Sequence, residues 1–356
     1  MRRHLLDPVG TESVAGVVGR LGAVPARPEA TVDELAIRTR RQRSRAGEVA
    51  RALAEGRVIK TFAFRGSTHF VAPEDGGAYL ALRAASRMWE RPGWQSHFGL
   101  SPADWPVLRQ TVREALAGGP MTREELGAAI TGRSRFRHLA FAFSDKSFTL
   151  LKPLAWQGDM SFGPLRDGRA TFQSLDVNPR WAGIPDLDDA GLFAVESYFR
   201  TYAPATPDNL HYWLGEGLGA GRRRIESWIA GISGRLAAVD VSGEAAYVLL
   251  EDLDELLSMA PTTVVRFLPG YDQWVLGPGT ADGHVVPTAR RTLVSRGANI
   301  VIAGGRLAAT WSLAEDEVVI AWFAEAGPPP EEAIAEEVSR LGAIVGRPLR
   351  WTAHMA

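Results

Sequence analysis

TVDELAIRTRRQRSRAGEVARALAEGRVIKTFAFRGSTHFVA, residues 31–72, carries the pattern that decides the fold class. Thr31 and Glu34 have capping-box spacing, so a helix opens there and carries Leu35 and Ile37. An arginine run follows: Arg38, Arg40, Arg41, Arg43 and Arg45. Glu48 begins another helix, which Gly56 stops. Residues 57–72 then read as a β-hairpin turning at Gly66. Upstream, residues 11–23 make a helix with Val14, Val17, Val18 and Leu21 on one face. Helices followed by a hairpin is the element order of a winged helix, whose recognition helix enters the major groove of DNA.

A similar order recurs downstream. Ser101 and Pro102 open a helix over residues 102–117, and Thr122 opens a second by a capping box. Residues 145–175 are strand-like and supply a second wing. A third passage runs from a helix ending at Tyr202, through a helix start at Thr206-Pro207-Asp208, to the strands RLAAVDV and AAYVLLE. Residues 264–277, 299–313 and 317–324 read as strands, and PPEEAIAEEVSRLGAIVG as an amphipathic C-terminal helix. The fold class expected is α+β: tandem winged-helix units at 1–98, 99–185 and 186–261, then a β-rich domain at 262–356. These passages share an order of elements, not a repeated sequence.

Composition narrows the function classes. With 356 residues, 46 % hydrophobic and 23 % charged, the chain is long enough for a sizeable core. It has no cysteine, so disulfides and thiolate metal sites are excluded. The histidines show no ligand spacing, and neither a metal nor a cofactor is expected. No Walker loop, dinucleotide fingerprint or nucleophile elbow is present. No apolar leader or membrane span is read, and the cytoplasm is the default expectation. The net charge is −1, and Lys60, Lys146 and Lys152 are its only lysines, so arginine carries nearly all the positive charge. A GC-rich genome explains that bias, and so does bidentate phosphate contact.

Several segments together resemble the AlkZ/YcaQ-type DNA glycosylases. They are RLGAVPARPEATVDELAIRTR, Arg65-Gly66-Ser67-Thr68-His69, PMTREEL, Tyr202 to Asp208 with Trp213, and Arg266 to Asp272 with Gly305, Arg306, Thr310 and Trp311, in family order. The resemblance implies a C-shaped, monomeric protein around a basic cleft that holds duplex DNA with a bulky alkylated purine. It implies hydrolysis of the N-glycosidic bond of N7-alkylguanine adducts and crosslinks, in repair or in self-resistance of antibiotic producers. It also places the family's catalytic Q-x-Q or Q-x-D motif on Pro25-Ala26-Arg27, where both functional positions have departed.

N7-alkylation leaves a cationic purine that departs readily, so the site must chiefly hold a water and stabilise an oxocarbenium-like sugar. Proline has no side-chain acceptor, and arginine only donates. Three readings stand. The protein binds DNA without cleaving; or Glu29, Asp33 or His69 has taken over; or the alignment is displaced and Gln42 or another polar residue occupies the site. A transcription regulator is a further alternative.

Individual residues also carry two readings. Arg38, Arg40, Arg41, Arg43, Arg45 and Arg65 are candidate DNA contacts or a solvated face. His69 is a polar group beside the nucleotide or a hydrogen-bonded wing histidine. Asp272 is an Asx-turn acceptor or a functional carboxylate. Arg123 faces DNA or packs. Trp89, Trp94 and Trp105 stack a flipped base or pack under a loop.

Overall fold

The structure is a computed structural model and describes residues 1–27, 34–144 and 148–356. The expected capping box at Thr31 and the candidates Glu29 and Asp33 lie outside the described residues.

The first helix, α1 (Val14–Leu21), is capped by Ser13, whose Oγ accepts from the Gly16 N–H at 3.1 Å. Val14, Val17, Val18 and Leu21 fall on one face at helical spacing, and all four are buried. They pack with Ile37 of α2 (Leu35–Arg38), Val49 and Ala52 of α3 (Glu48–Ala54) and Phe70. Burying each such side chain contributes about 1.5–3 kcal/mol.

Six short strands follow: β1 (Val24–Pro25), β2 (Ile59–Phe62), β3 (Thr68–Val71), β4 (Met121–Thr122), β5 (Met160–Phe162) and β6 (Thr171–Ser174). They form one antiparallel sheet in the order β1-β3-β2-β5-β6-β4. The two expected wing hairpins are therefore neighbouring parts of a single sheet, joined where Lys60 of β2 faces Phe162 of β5. One hydrophobic cluster runs from Ala23 to Leu249 and crosses the expected boundaries at 98/99 and 185/186. The three expected N-terminal units thus share a core. A second cluster, with Val17, Val18, Leu21 and Ile37, belongs to the N-terminal part alone.

The capping box read at Thr122 is present with Glu125 as partner, and the helix start read at Thr206 proves to be a capping box too, with Asn209. Strands β7 (Leu236–Val241) and β8 (Glu244–Leu249) make a separate hairpin.

The C-terminal sheet contains β9 (Val265–Leu268), β10 (Asn299–Ala303), β11 (Arg306–Ala314), β12 (Glu317–Trp322) and β13 (Arg350–Met355). Their order is β13-β12-β11-β10-β9. The helix Glu331–Val345 crosses between β12 and β13, which pair in parallel. The strand expected over 264–277 ends early. Pro269 and Gly270 stop β9, and Asp272 caps a short helix at Gln273–Leu276 by accepting from the Trp274 N–H at 2.8 Å.

The N-terminal segment straps the two halves together. Leu6 is buried in the C-terminal core, and Arg266 Nε donates to its carbonyl at 2.7 Å. Arg3 reaches back to the Phe199 carbonyl at 3.3 Å.

Candidate nucleic-acid interface

A cleft of about 840 Å³ opens between the β1–β3 edge and the C-terminal sheet. Pro25, Ala26, Arg27, Arg38, Arg65 and His69 line one wall, and Pro269 to Asp272 with Asn299 and Trp311 line the other. The size suits a nucleobase with a substantial adduct.

The first wall is set by strand register. Pro25 stands directly opposite His69, and the Ala26 N–H donates to the Thr68 carbonyl at 2.9 Å. That is the pattern of a non-hydrogen-bonded antiparallel pair, in which facing side chains stand closest. Proline's missing N–H costs nothing there, because β1 is an edge strand and the pair uses no Pro25 donor. Arg27, two residues on, is exposed at the cleft.

His69 is 4 % exposed. Its Nδ1 lies 3.0 Å from the Ser67 carbonyl, which can only accept, so Nδ1 carries the ring proton. Nε2 is then an unprotonated acceptor. Burial pushes the imidazole down to about 4; the Ser67 carbonyl opposes this, and the nearby Arg65 charge reinforces it. At neutral pH His69 is uncharged. His69 is thus a hydrogen-bonded histidine of β3 on the cleft wall.

The arginine run separates. Arg40 is a correction. It is 0 % exposed, donates to both Asp272 oxygens at 2.8 and 2.6 Å, and donates to the Ala36 carbonyl at 2.7 Å. A guanidinium so enclosed cannot reach a phosphate. It ties α2 to the C-terminal half, across 232 residues of sequence. Arg41 is also engaged inward, with Glu48 and with the Glu12 carbonyl. Arg43 and Arg45 are exposed, and Arg38 is half-buried at the cleft, with its Nε 3.4 Å from Ser44 Oγ. Arg65 sits in a left-handed turn at φ 53°, exposed, with its guanidinium 4.4 Å from the centre of the Tyr212 ring.

Gln42 donates to the Val9 carbonyl at 2.9 Å and does not line the cleft, so the displaced-alignment reading does not run through Gln42. Arg123 turns inward over Phe148 and reaches the Ala142 carbonyl at 3.3 Å. Trp89 and Trp105 are buried, 6.0 Å apart, and Trp94 packs against the same core. Among the described residues no group of three or more His, Cys, Asp or Glu is placed to hold a metal. No helix among them is long and apolar enough to cross a membrane.

Sequence reasoning missed Glu34 as a cleft group, because it was spent on a capping box. It also missed Tyr212, which carried no signal, and Tyr271, whose only signal was membership of a family-like segment.

The geometry can be set beside known proteins. The model of the family "DNA glycosylase AlkZ-like" matches residues 18–344. A relative from Streptomyces sahachiroi, an interstrand DNA cross-link repair glycosylase, is 32 % identical over 352 residues, covering 97 % of this chain and 94 % of its own. A solved structure, the Streptomyces sahachiroi DNA glycosylase AlkZ, superposes with a TM-score of 0.93 at 31 % identity, covering 99 % of this chain and 97 % of that one. The ordered segments that suggested the resemblance lie almost wholly inside the matched span. This chain belongs to the AlkZ-like DNA glycosylase family.

Proposed function

We propose that this protein is a monomeric DNA glycosylase that hydrolyses the N-glycosidic bond of bulky N7-alkylguanines, crosslinks included, in duplex DNA. On this reading its N-terminal elements are tandem winged helices curved around a basic cleft, and it serves in DNA repair or self-resistance. The relative's role in interstrand cross-link repair supports the substrate class. The charge of the cleft supports the DNA side: Arg27, Arg38 and Arg65 line it against Glu34, while the Asp272 charge is matched by Arg40. Exposed Arg43 and Arg45 extend the phosphate-binding surface.

The observation that carries the reading is His69. It lines the cleft, faces Pro25, where the resemblance would put the family's motif, and with the proton on Nδ1 its Nε2 is left as an acceptor. In the proposed step a water held by Nε2 attacks C1′ as the C1′–N9 bond breaks. The bonding pair goes to N9, the water proton goes to Nε2, and the cationic base leaves neutral. A weak base suffices because the leaving group brings its own positive charge.

The test is single-turnover base release from a duplex carrying one N7-alkylguanine, with binding measured in the same samples. Wild type is expected to release base. His69→Ala is expected to lose about 100-fold in rate while still binding, in line with removal of a general base. The loss of acceptors at Pro25 and Arg27 favours a second reading, a non-catalytic DNA-binding paralogue. Wild type that binds the duplex and releases nothing would establish that reading instead.

A further inference from the structure

Four aromatic residues line the cleft: Phe64, Tyr212, Tyr271 and Trp311. Three are occupied. Phe64 is buried, Tyr212 is covered by the Arg65 guanidinium, and Trp311 is 7 % exposed, with its Nε1 donating to the Leu268 carbonyl at 3.0 Å. Tyr271 differs. It is 47 % exposed, and its backbone sits at φ 61°. That left-handed conformation suits Gly, Asn or Asp, and an aromatic side chain disfavours it.

The surroundings hold Tyr271 in that conformation at several points. On its C-terminal side, Asp272 is locked by Arg40 and by the Trp274 N–H. On its N-terminal side, the Gly270 N–H donates to Asn299 Oδ1 at 2.9 Å. The ring lies directly over Gly297, where a Cβ would come within 2.3 Å of it. Gly297 itself has φ +81°, so the position beneath the ring suits glycine on two counts. A single exposed aromatic needs no explanation, but one held in strain by neighbours on both sides does.

We propose that Tyr271 is a specificity residue whose ring stacks on the cationic N7-alkylpurine and distinguishes it from neutral bases. An electron-rich aromatic face attracts a cation positioned over it. The positive charge of the lesion is the one feature that every N7-alkylguanine shares, whatever its adduct. The ring therefore selects damage by charge, and the width of the cleft leaves room for different alkyl groups. This inference rests on the proposed reading of the cleft as the place where an N7-alkylpurine is held.

The test separates charge from shape and binding from hydrolysis. One duplex carries 7-methylguanine on a 2′-fluoro sugar, which keeps the glycosidic bond intact. A second carries 7-methyl-7-deazaguanine, the uncharged isostere, and a third is unmodified. Wild type is expected to prefer the cationic duplex over its isostere by about five- to thirtyfold. Tyr271→Phe is expected to keep most of that preference. Tyr271→Leu and Tyr271→Gly are expected to abolish it, bringing the affinities for the cationic duplex and its isostere together; the glycine variant relieves the backbone strain and so guards against a folding defect. A wild type without preference, or a leucine variant that retains it, would overturn the proposal. Because the readout is binding, a wild type that shows the preference but never releases base sinks the glycosylase reading alone.

Discussion

The two walls of the cleft are built on opposite principles. The β1–β3 wall is relaxed. Pro25 sits where its missing N–H is not needed, and His69 is neutral and satisfied at Nδ1. The facing wall is strained and clamped. Tyr271 is held at φ 61° between a buried ion pair and a glycine that its own ring covers. Relaxed structure tolerates substitution, and the relaxed wall is where the resemblance would place the family's motif. Clamped structure penalises it, because each part is braced by another.

The sharpest way to break this contrast is at the clamp. Asp272→Ala leaves the Arg40 guanidinium buried and unpaired, and a loss of about 3–5 kcal/mol is expected in urea unfolding. A far smaller loss would show that water reaches Arg40 and that the wall is not clamped. Replacing both partners together, as Arg40→Met with Asp272→Leu, is expected to recover much of the loss.

Next in size comes the pH response of His69. Its folded value of about 4 lies below the ordinary 6.5, so between these values the unfolded chain binds more protons. The stability it contributes is present above 6.5 and is lost as pH falls towards 4. Base release, if His69 holds the water, stays level through neutral pH and falls as pH passes about 4. A rate that instead falls near 6.5 would mean an exposed, ordinary histidine. In His69→Ala the step at low pH should vanish.

Smaller again is the effect of the exposed arginines. Arg43→Ala and Arg45→Ala should each reduce the slope of log affinity against log salt by roughly 1. Filter binding across a salt series measures this, and an unchanged slope removes that arginine from the interface. The smallest effect is expected at the relaxed wall. Pro25→Gln should change stability by less than about 0.5 kcal/mol, since neither the sheet ladder nor the core depends on the ring. Thermal unfolding would settle it, and a large shift would mean that the edge is more constrained than its register suggests.

Local rules made much of this fold legible. The capping box at Thr122, the helix start at Thr206, the apolar face of α1 and the hairpin around Gly66 all follow from neighbours a few residues apart. What escaped was non-local. Nothing near Arg40 reveals that its partner is Asp272, and five arginines in eight positions look alike until one is buried. The fused sheet was hidden because β4, β5 and β6 are too short to announce a neighbour. Strand β13 has no alternation to read, since it is exposed along nearly its whole length. The strand reading of 264–277 failed because apolar residues on both sides of Pro269-Gly270 look continuous, although the chain turns there. At the site, His69 was named from its motif, but its tautomer and depressed basicity needed the fold.

The Arg40–Asp272 pair and the strap through Leu6 have a mechanical corollary. A jaw bolted at its hinge acts as a gauge of fixed aperture. If the substrate is duplex DNA, as proposed above, whatever enters must conform to it, and the work of deformation falls on the double helix. Such a gauge sorts its substrates by compliance. Sites where the duplex kinks cheaply, such as pyrimidine–purine steps or a helix already loosened by a bulky lesion, seat with less elastic cost than stiff tracts of intact DNA.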